Sequence, residues 1–181
     1  MAFEVVFRQL SEEHLQALPK FGCGRASLDG FLVEDAHNFH KYGLTHTTLV
    51  YVQGDDAIAG YFSLSSDAVK LSTFETGELG LPFDAEISYF PAVKITKFAV
   101  HTKYQRAGLG MQLVNAIQGL VYADGRSVAT RLLTVDAVNK PDVVAFYTKA
   151  GFEECLAAKK ELRQQQARET VLMFKDIYTE N

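Results

Sequence analysis

The sequence predicts an α/β fold, a mixed sheet with helices on its faces. Three observations predict it. Stretches with apolar residues at every second position alternate with stretches where they recur every three or four. Glycine, proline and Asp-rich turn chemistry punctuates them. No repeat, low-complexity tract or Pro/Ser-rich linker interrupts the chain, so residues 1–181 are expected to form one domain. With 48% apolar and 22% charged residues, the composition is that of a globular chain and excludes a disordered one.

The elements follow in order. Phe3, Val5 and Phe7 alternate over residues 3–10, a first strand. Ser11 followed by Glu12 and Glu13 is a helix-start signal, a hydroxyl cap ahead of carboxylates at the positive end of the dipole. After the Gly22-Cys23-Gly24 break, Leu28, Phe31, Leu32, Ala36 and Phe39 recur at helical spacing until Gly43. Residues 47–52 and 57–64 are β-branched and aromatic, joined by Gly54-Asp55-Asp56, and read as a hairpin. Residues 67–91 hold Gly77, Gly80, Pro82 and Pro91 and read for the most part as an irregular surface connection, long enough to suggest a function.

The strand over 93–100 enters the core. Leu109, Leu113, Val114, Ile117, Leu120 and Val121 form an amphipathic helix closed by Asp124-Gly125. A strand over 132–135 and a helix from Val143 to Gly151 come next. The charged stretch 157–168 reads as a solvated excursion before a closing strand over 170–177. The resulting order is β-α-α-β-β-β-α-β-α-β-β.

Several function classes drop out. Eighteen Lys and Arg against 22 Asp and Glu give a net charge of −4, which weakens any broad electrostatic binding of nucleic acid. The two cysteines, Cys23 and Cys155, make neither a disulfide framework nor a zinc ribbon, and they suit small buried hydrophobes better than nucleophiles. His37 and His40 sit three apart without a third ligand, so no metal is expected. No run approaches the ~18 apolar residues of a membrane span, and the start lacks a basic leader, so a soluble, cytoplasmic protein is expected.

Chemistry concentrates where the strand Lys97-Phe98-Ala99-Val100 runs through a short connector into Gln105-Arg106-Ala107-Gly108-Leu109-Gly110 at a helix start. Free backbone amides and the positive dipole end of a helix make an anion site. Gly108 and Gly110 let the backbone approach a phosphate with no Cβ in the way. A dinucleotide fingerprint would need glycine where Leu113 stands, and a P-loop would need Gly-Lys-Ser/Thr.

Gln105-x-x-Gly108-x-Gly110 after an apolar strand resembles the coenzyme A loop of the GNAT N-acetyltransferase superfamily. Asn139, Ala145-Phe146-Tyr147 and Gly151-Phe152 resemble that family's second landmark, although Asn139 and Tyr147 are an extra residue apart and Pro141 intervenes. The resemblance implies a mixed, mostly antiparallel twisted sheet flanked by helices on both faces. It also implies acetyl-CoA as cosubstrate and direct transfer of acetyl to a primary amine. Amides of Arg106, Ala107, Gly108, Leu109 and Gly110 would hold the pyrophosphate, beside Gln105 and Asn139. Phe98, Ala99 and Val100 would pair with the pantetheine as an added strand. Tyr147 would protonate the leaving thiolate. No carboxylate lies between Val93 and Val100, so Asp67, Glu86, a water chain or no specific group remain open as base.

Bland readings stand beside these. Gly108 and Gly110 alone fit an ordinary strand-to-helix turn, and Tyr147 alone fits a core aromatic. The run from Ser63 to Ser66 lacks a nucleophile elbow and reads as a strand end. Lys103 and His101 fit either phosphate contacts or plain surface. The net charge favours a small-molecule or peptide amine as acceptor. The segment Phe21-x-Cys23-Gly24, Leu28, Phe31-Leu32 and Ala36 also resembles the GNAT subgroup containing toxins that acetylate aminoacyl-tRNA. That alternative implies tRNA and an antitoxin as partners, with Arg8, Lys20, Arg25, Lys41 or Lys149 gathered near Tyr147. A homodimer is compatible with either reading. A third alternative is a coenzyme-A-binding sensor without turnover, suggested by the missing base.

Overall fold

The computed structural model describes residues 2–124, 128–161 and 168–178. Seven strands order as β1-β2-β3-β4-β5-β7-β6, where β1 is Val5–Gln9, β2 His46–Val52, β3 Ile58–Val69, β4 Phe90–Val100, β5 Leu132–Val138, β6 Glu153–Glu154 and β7 Thr170–Asp176. The neighbours β1/β2, β2/β3, β5/β7 and β6/β7 are antiparallel, in keeping with the α/β expectation. Two compact units divide the chain, Met1–Ser65 with Ile95–Ala116 and Ser66–Lys94 with Ile117–Asn181.

The first unit holds β1, β2, most of β3 and the second half of β4. Its helical segment begins as α1 Ala26–Gly30, widens into a π turn at Phe31–Asp35 and continues as α2 Ala36–Lys41. Ser11 and His14 complete a reciprocal capping box at a single 3-10 turn, Glu12–His14, where a longer helix was expected. The core gathers Leu18, Phe21, Leu32, Leu49, Tyr61 and Ala99. Tyr61 buries its ring entirely, edge-on to Phe21, and donates its hydroxyl to Leu28 O at 2.7 Å. Such pairing is what lets a polar handle sit in an apolar core.

In the second unit, β5 pairs with β7 from Leu132–Asp176 to Val138–Thr170. Val69, Leu71, Leu79, Phe90, Leu132 and Phe174 form its core. Helix α4, Leu109–Asp124, runs from the first unit into the second; Leu109, Leu113, Val114, Ile117 and Val121 are buried as its periodicity predicts, whereas Leu120 is exposed. Its expected stop at Gly125 lies outside the described residues.

Residues 67–91 are in part the irregular connection expected, since 79–89 hold neither helix nor strand, but regular elements occupy the rest of the stretch. Strand β3 extends through Ser63–Ser66 to Val69, α3 forms at Thr73–Glu78, and β4 starts at Phe90. Inside β3, Ser63 is buried and its hydroxyl meets Thr47 Oγ1 at 2.8 Å, so the strand continues where a strand end was expected. Helix α3 is fixed by its own capping box, Ser72 accepting from Glu75 N and Glu75 accepting from Ser72 N. The excursion expected over 157–168 begins instead with α6, Leu156–Glu161, whose Ala157 and Ala158 pack on the core; residues 162–167 lie outside the described residues.

Candidate functional site

In the first unit β4 ends at Val100 and the chain is held at each residue from His101 to Gln105. His101 N donates to Ala59 O at 2.9 Å, and Thr102 N to Gly22 O at 3.0 Å. A 3-10 turn, Thr102–Tyr104, follows, with Tyr104 buried edge-on to Phe3. Asp55, from the β2–β3 turn, anchors it by accepting from Lys103 Nζ at 2.6 Å, from the Tyr104 hydroxyl and from Ala57 N. The Lys103 contact, then Tyr104 and the Ala57 amide, hold the Asp55 carboxyl far below the usual carboxylate range. Lys103 is therefore engaged by Asp55.

Gln105 is exposed, yet its side chain folds back on the chain, Nε2 donating to Val100 O and Cys23 O, each at 2.8 Å. It ties the end of β4 and the Gly22-Cys23-Gly24 segment to the start of the turn. Arg106 then takes φ 57° and Gly108 φ 94°, both left-handed. A non-glycine residue in that region is uncommon, and strained backbone of this kind clusters at ligand clamps. Left-handed residues in a turn rotate successive amides toward one side, the geometry of an anion nest. The first bond of α4 runs from Gln112 N to Gly108 O, so the amides of Leu109, Gly110 and Met111 precede it. Gln112 also grips Phe3, accepting from its N at 2.8 Å and donating to its O at 2.6 Å.

Gly60 is a residue that sequence reasoning missed. A Cβ there would lie 2.8 Å from Ala99 O and 3.4 Å from a Leu113 methyl. Its glycine lets β3 and α4 close on the strand stretch Phe98-Ala99-Val100. An isolated glycine inside an apolar strand pattern was the available signal.

In the second unit α5, Pro141–Lys149, opens with proline at its first turn and ends at Gly151, φ 85°. Tyr147 is buried, its ring edge-on to Phe146 at 5.1 Å and Phe152 at 5.4 Å. Beside the helix end, the ammonium of the buried Lys175 donates to Ala150 O at 2.9 Å. Asn139 is exposed, and its Nδ2 donates to Arg168 O at 3.0 Å while its backbone N reaches Glu169 O. Asn139 thus ties down the chain just ahead of β7. Asp67 accepts from Thr134 Oγ1 at 2.5 Å and from Ala68 N at 2.9 Å, whereas Glu86 is exposed.

Phe98, Ala99, Val100 and Gln105 to Gly110 therefore fall in the first unit, and Asn139 and Tyr147 in the second. Burial and the Asp29 contact push the Cys23 thiol up to about 11, which suits a packing residue rather than a nucleophile. His40 Nδ1 accepts from Thr47 N at 3.0 Å, and burial lowers its pKa. Among the described residues no group of three His, Cys, Asp or Glu is placed to hold a metal ion.

A profile of the acetyltransferase (GNAT) domain matches residues 45–154. Among solved structures, a tyrosine-to-phenylalanine mutant of KacT is similar with a TM-score of 0.75 and 19% identity, covering 96% of this chain and 95% of that one. AtaT complexed with acetyl-methionyl-tRNAfMet gives 0.73 and 18%, covering 95% of each chain. AtaTR bound with AcCoA gives 0.72 and 18%, covering 96% and 94%.

Proposed function

The chain belongs to the GNAT acetyltransferase family, and from that premise we propose that it transfers acetyl from acetyl-CoA to the α-amine of an aminoacyl-tRNA. The observation that carries the donor half is the turn at Arg106 and Gly108, left-handed at both positions and opening directly into α4. Amides of Arg106 to Gly110 bind the pyrophosphate, and the Phe98 to Val100 strand pairs with the pantetheine. Gln105 sets the turn from within, through its two carbonyl contacts.

In the reaction the amine lone pair attacks the thioester carbonyl and the C–S bond breaks. The departing thiolate takes a proton from the Tyr147 hydroxyl, and the nitrogen loses its extra proton to solvent. Positioning supplies much of the acceleration, and the tyrosine adds a second increment. Asn139 holds the chain ahead of β7 and is left out of the reacting set.

Two arguments favour the α-amine of a charged tRNA over a lysine-like amine. No carboxylate lies on β4, which favours an acceptor that is already substantially neutral without a base on that strand. An α-amine titrates near ~8 and is about a quarter neutral at pH 7.5, whereas an amine of pKa ~10.4 is about a thousandth neutral. The second argument is likeness over nearly the whole chain to AtaT complexed with acetyl-methionyl-tRNAfMet. A net charge of −4 pulls toward a small acceptor. Within the stretch 95–116, which holds no acidic residue, Lys97 and Arg106 offset this locally, while Asp55 neutralises Lys103.

Calorimetry tests the donor half. Acetyl-CoA binds the wild type, and Gly110→Glu abolishes binding by placing a carboxylate among the phosphates. Unchanged affinity in that variant would put the phosphates elsewhere. Tyr147→Phe separates enzyme from sensor: turnover falls about 100-fold or more while acetyl-CoA affinity holds. A wild type that never releases thiol with charged tRNA or small amines would leave the sensor.

A further inference from the structure

Residues 71–93 carry Glu75, Glu78, Asp84 and Glu86 and no lysine, arginine or histidine. The same stretch leaves Phe74 and Phe83 each 67% exposed, Tyr89 59% and Ile87 51%. Within the second unit, α3 lines a cleft of about 320 Å³ whose apolar walls are Phe74, Leu79, Leu156 and Phe174.

The polar groups of the cleft divide into engaged and unengaged ones. Glu75 is buried and its two oxygens accept from Ser72 N at 2.7 Å and Leu156 N at 2.6 Å. Glu154 meets Lys159 at 2.7 Å, and Asp176 meets Arg131 at 2.5 Å. Lys175, the cleft's cation, donates to Ala150 O. Glu78 and Glu153 are exposed and have no ion-pair partner among the described residues. An apolar slot remains, rimmed by two carboxylates without an ion-pair partner among the described residues.

We propose that this cleft docks a linear segment of a partner protein, one that carries an aromatic or aliphatic side chain flanked by lysine or arginine. The apolar side chain enters between Phe74 and Phe174, and the flanking cations reach Glu78 and Glu153. An apolar cleft opening to solvent marks an interaction site, and buried anchors dominate such interfaces. The charge selects the class of partner. A nucleic acid would bring phosphates against carboxylates, and an anionic membrane surface would do the same. A cationic peptide gains on both counts, with charge complementarity steering its approach.

A positional-scanning array of ten-residue peptides, probed with the full chain in 50 mM salt and without acetyl-CoA, tests the proposal independently of acetyl transfer. Binding requires a lysine or arginine within three residues of an aromatic or leucine. It weakens about tenfold or more in the Glu78→Lys/Glu153→Lys variant and likewise in Phe74→Ser. These side chains are exposed, so the variants keep the wild-type melting temperature within a few degrees. A signal indifferent to Lys and Arg, or one that the variants leave unchanged, overturns the proposal. So does sedimentation showing a wild-type dimer that both variants dissociate, because the occupant would then be a second copy of the chain.

Discussion

Replacing Gly60 with alanine tests how tightly β3 holds the donor strand. The added Cβ would lie 2.8 Å from Ala99 O, where ordinary contact begins at 3.4 Å. The obstacle is backbone on β4, so no side chain can swing away to relieve it. The Leu113 methyl at 3.4 Å closes another side. Strand β4 must move by about 0.6 Å or β3 must bend, and overpacking of this kind costs about 1–3 kcal/mol. For a chain of this size that lowers the melting temperature by roughly 2–9 °C. The displaced residue lies between Phe98 and Val100, the proposed pantetheine contacts, so acetyl-CoA affinity falls along with stability. Differential scanning fluorimetry and calorimetry on Gly60→Ala read both effects. A melting temperature within about 1 °C of wild type, with unchanged affinity, would refute the reasoning.

Three further substitutions probe the turn and the second landmark. Gln105→Ala frees the carbonyls of Val100 and Cys23; it should cost about 1–2 kcal/mol of stability and weaken acetyl-CoA binding in calorimetry. Asp55→Asn tests linkage. Its carboxyl is held below its unfolded value by Lys103 first, so its contribution is fully present above about pH 4 and disappears as pH falls through the folded value. The wild-type melting temperature should therefore drop more steeply than that of Asp55→Asn on acidification, and parallel curves would remove the effect. Gly151→Ala strains φ 85° and presses on Lys175 Cε at 3.3 Å; thermal melts should show a loss of about 1 kcal/mol or more.

Much of this was legible because the signals were local. A strand, a glycine-bearing turn and an amphipathic helix follow one another at 93–121, and each has its own periodicity. Tyr147 and Gly151 announce a helix and its left-handed end in the same way. Misreadings came where local signals disagreed. Ser65, Ser66 and Asp67 interrupt the apolar pattern, yet β3 runs on through them, held by the pairing of Thr134 with Asp67. Ser72 and Glu75 form a capping box in plain sequence, but Gly77, Gly80 and Pro82 drew the reading toward a loop. Long-range contacts had no sequence signature at all. Neither the closeness of Gly60 to Ala99 O nor the bond of Gln105 to Cys23 O follows from spacing. Asn139 shows the converse, since its match to a family position says nothing of its bond to Arg168 O.

The most direct test is to incubate the full chain with acetyl-CoA and a set of charged tRNAs alongside a panel of small amines, and to follow N-acetylation by mass spectrometry. Acetyl should appear on the α-amine of one or more aminoacyl-tRNAs, in a reaction that weakens with salt and is lost in Tyr147→Phe. Acetylation confined to small amines, with every charged tRNA untouched, would contradict the proposed acceptor.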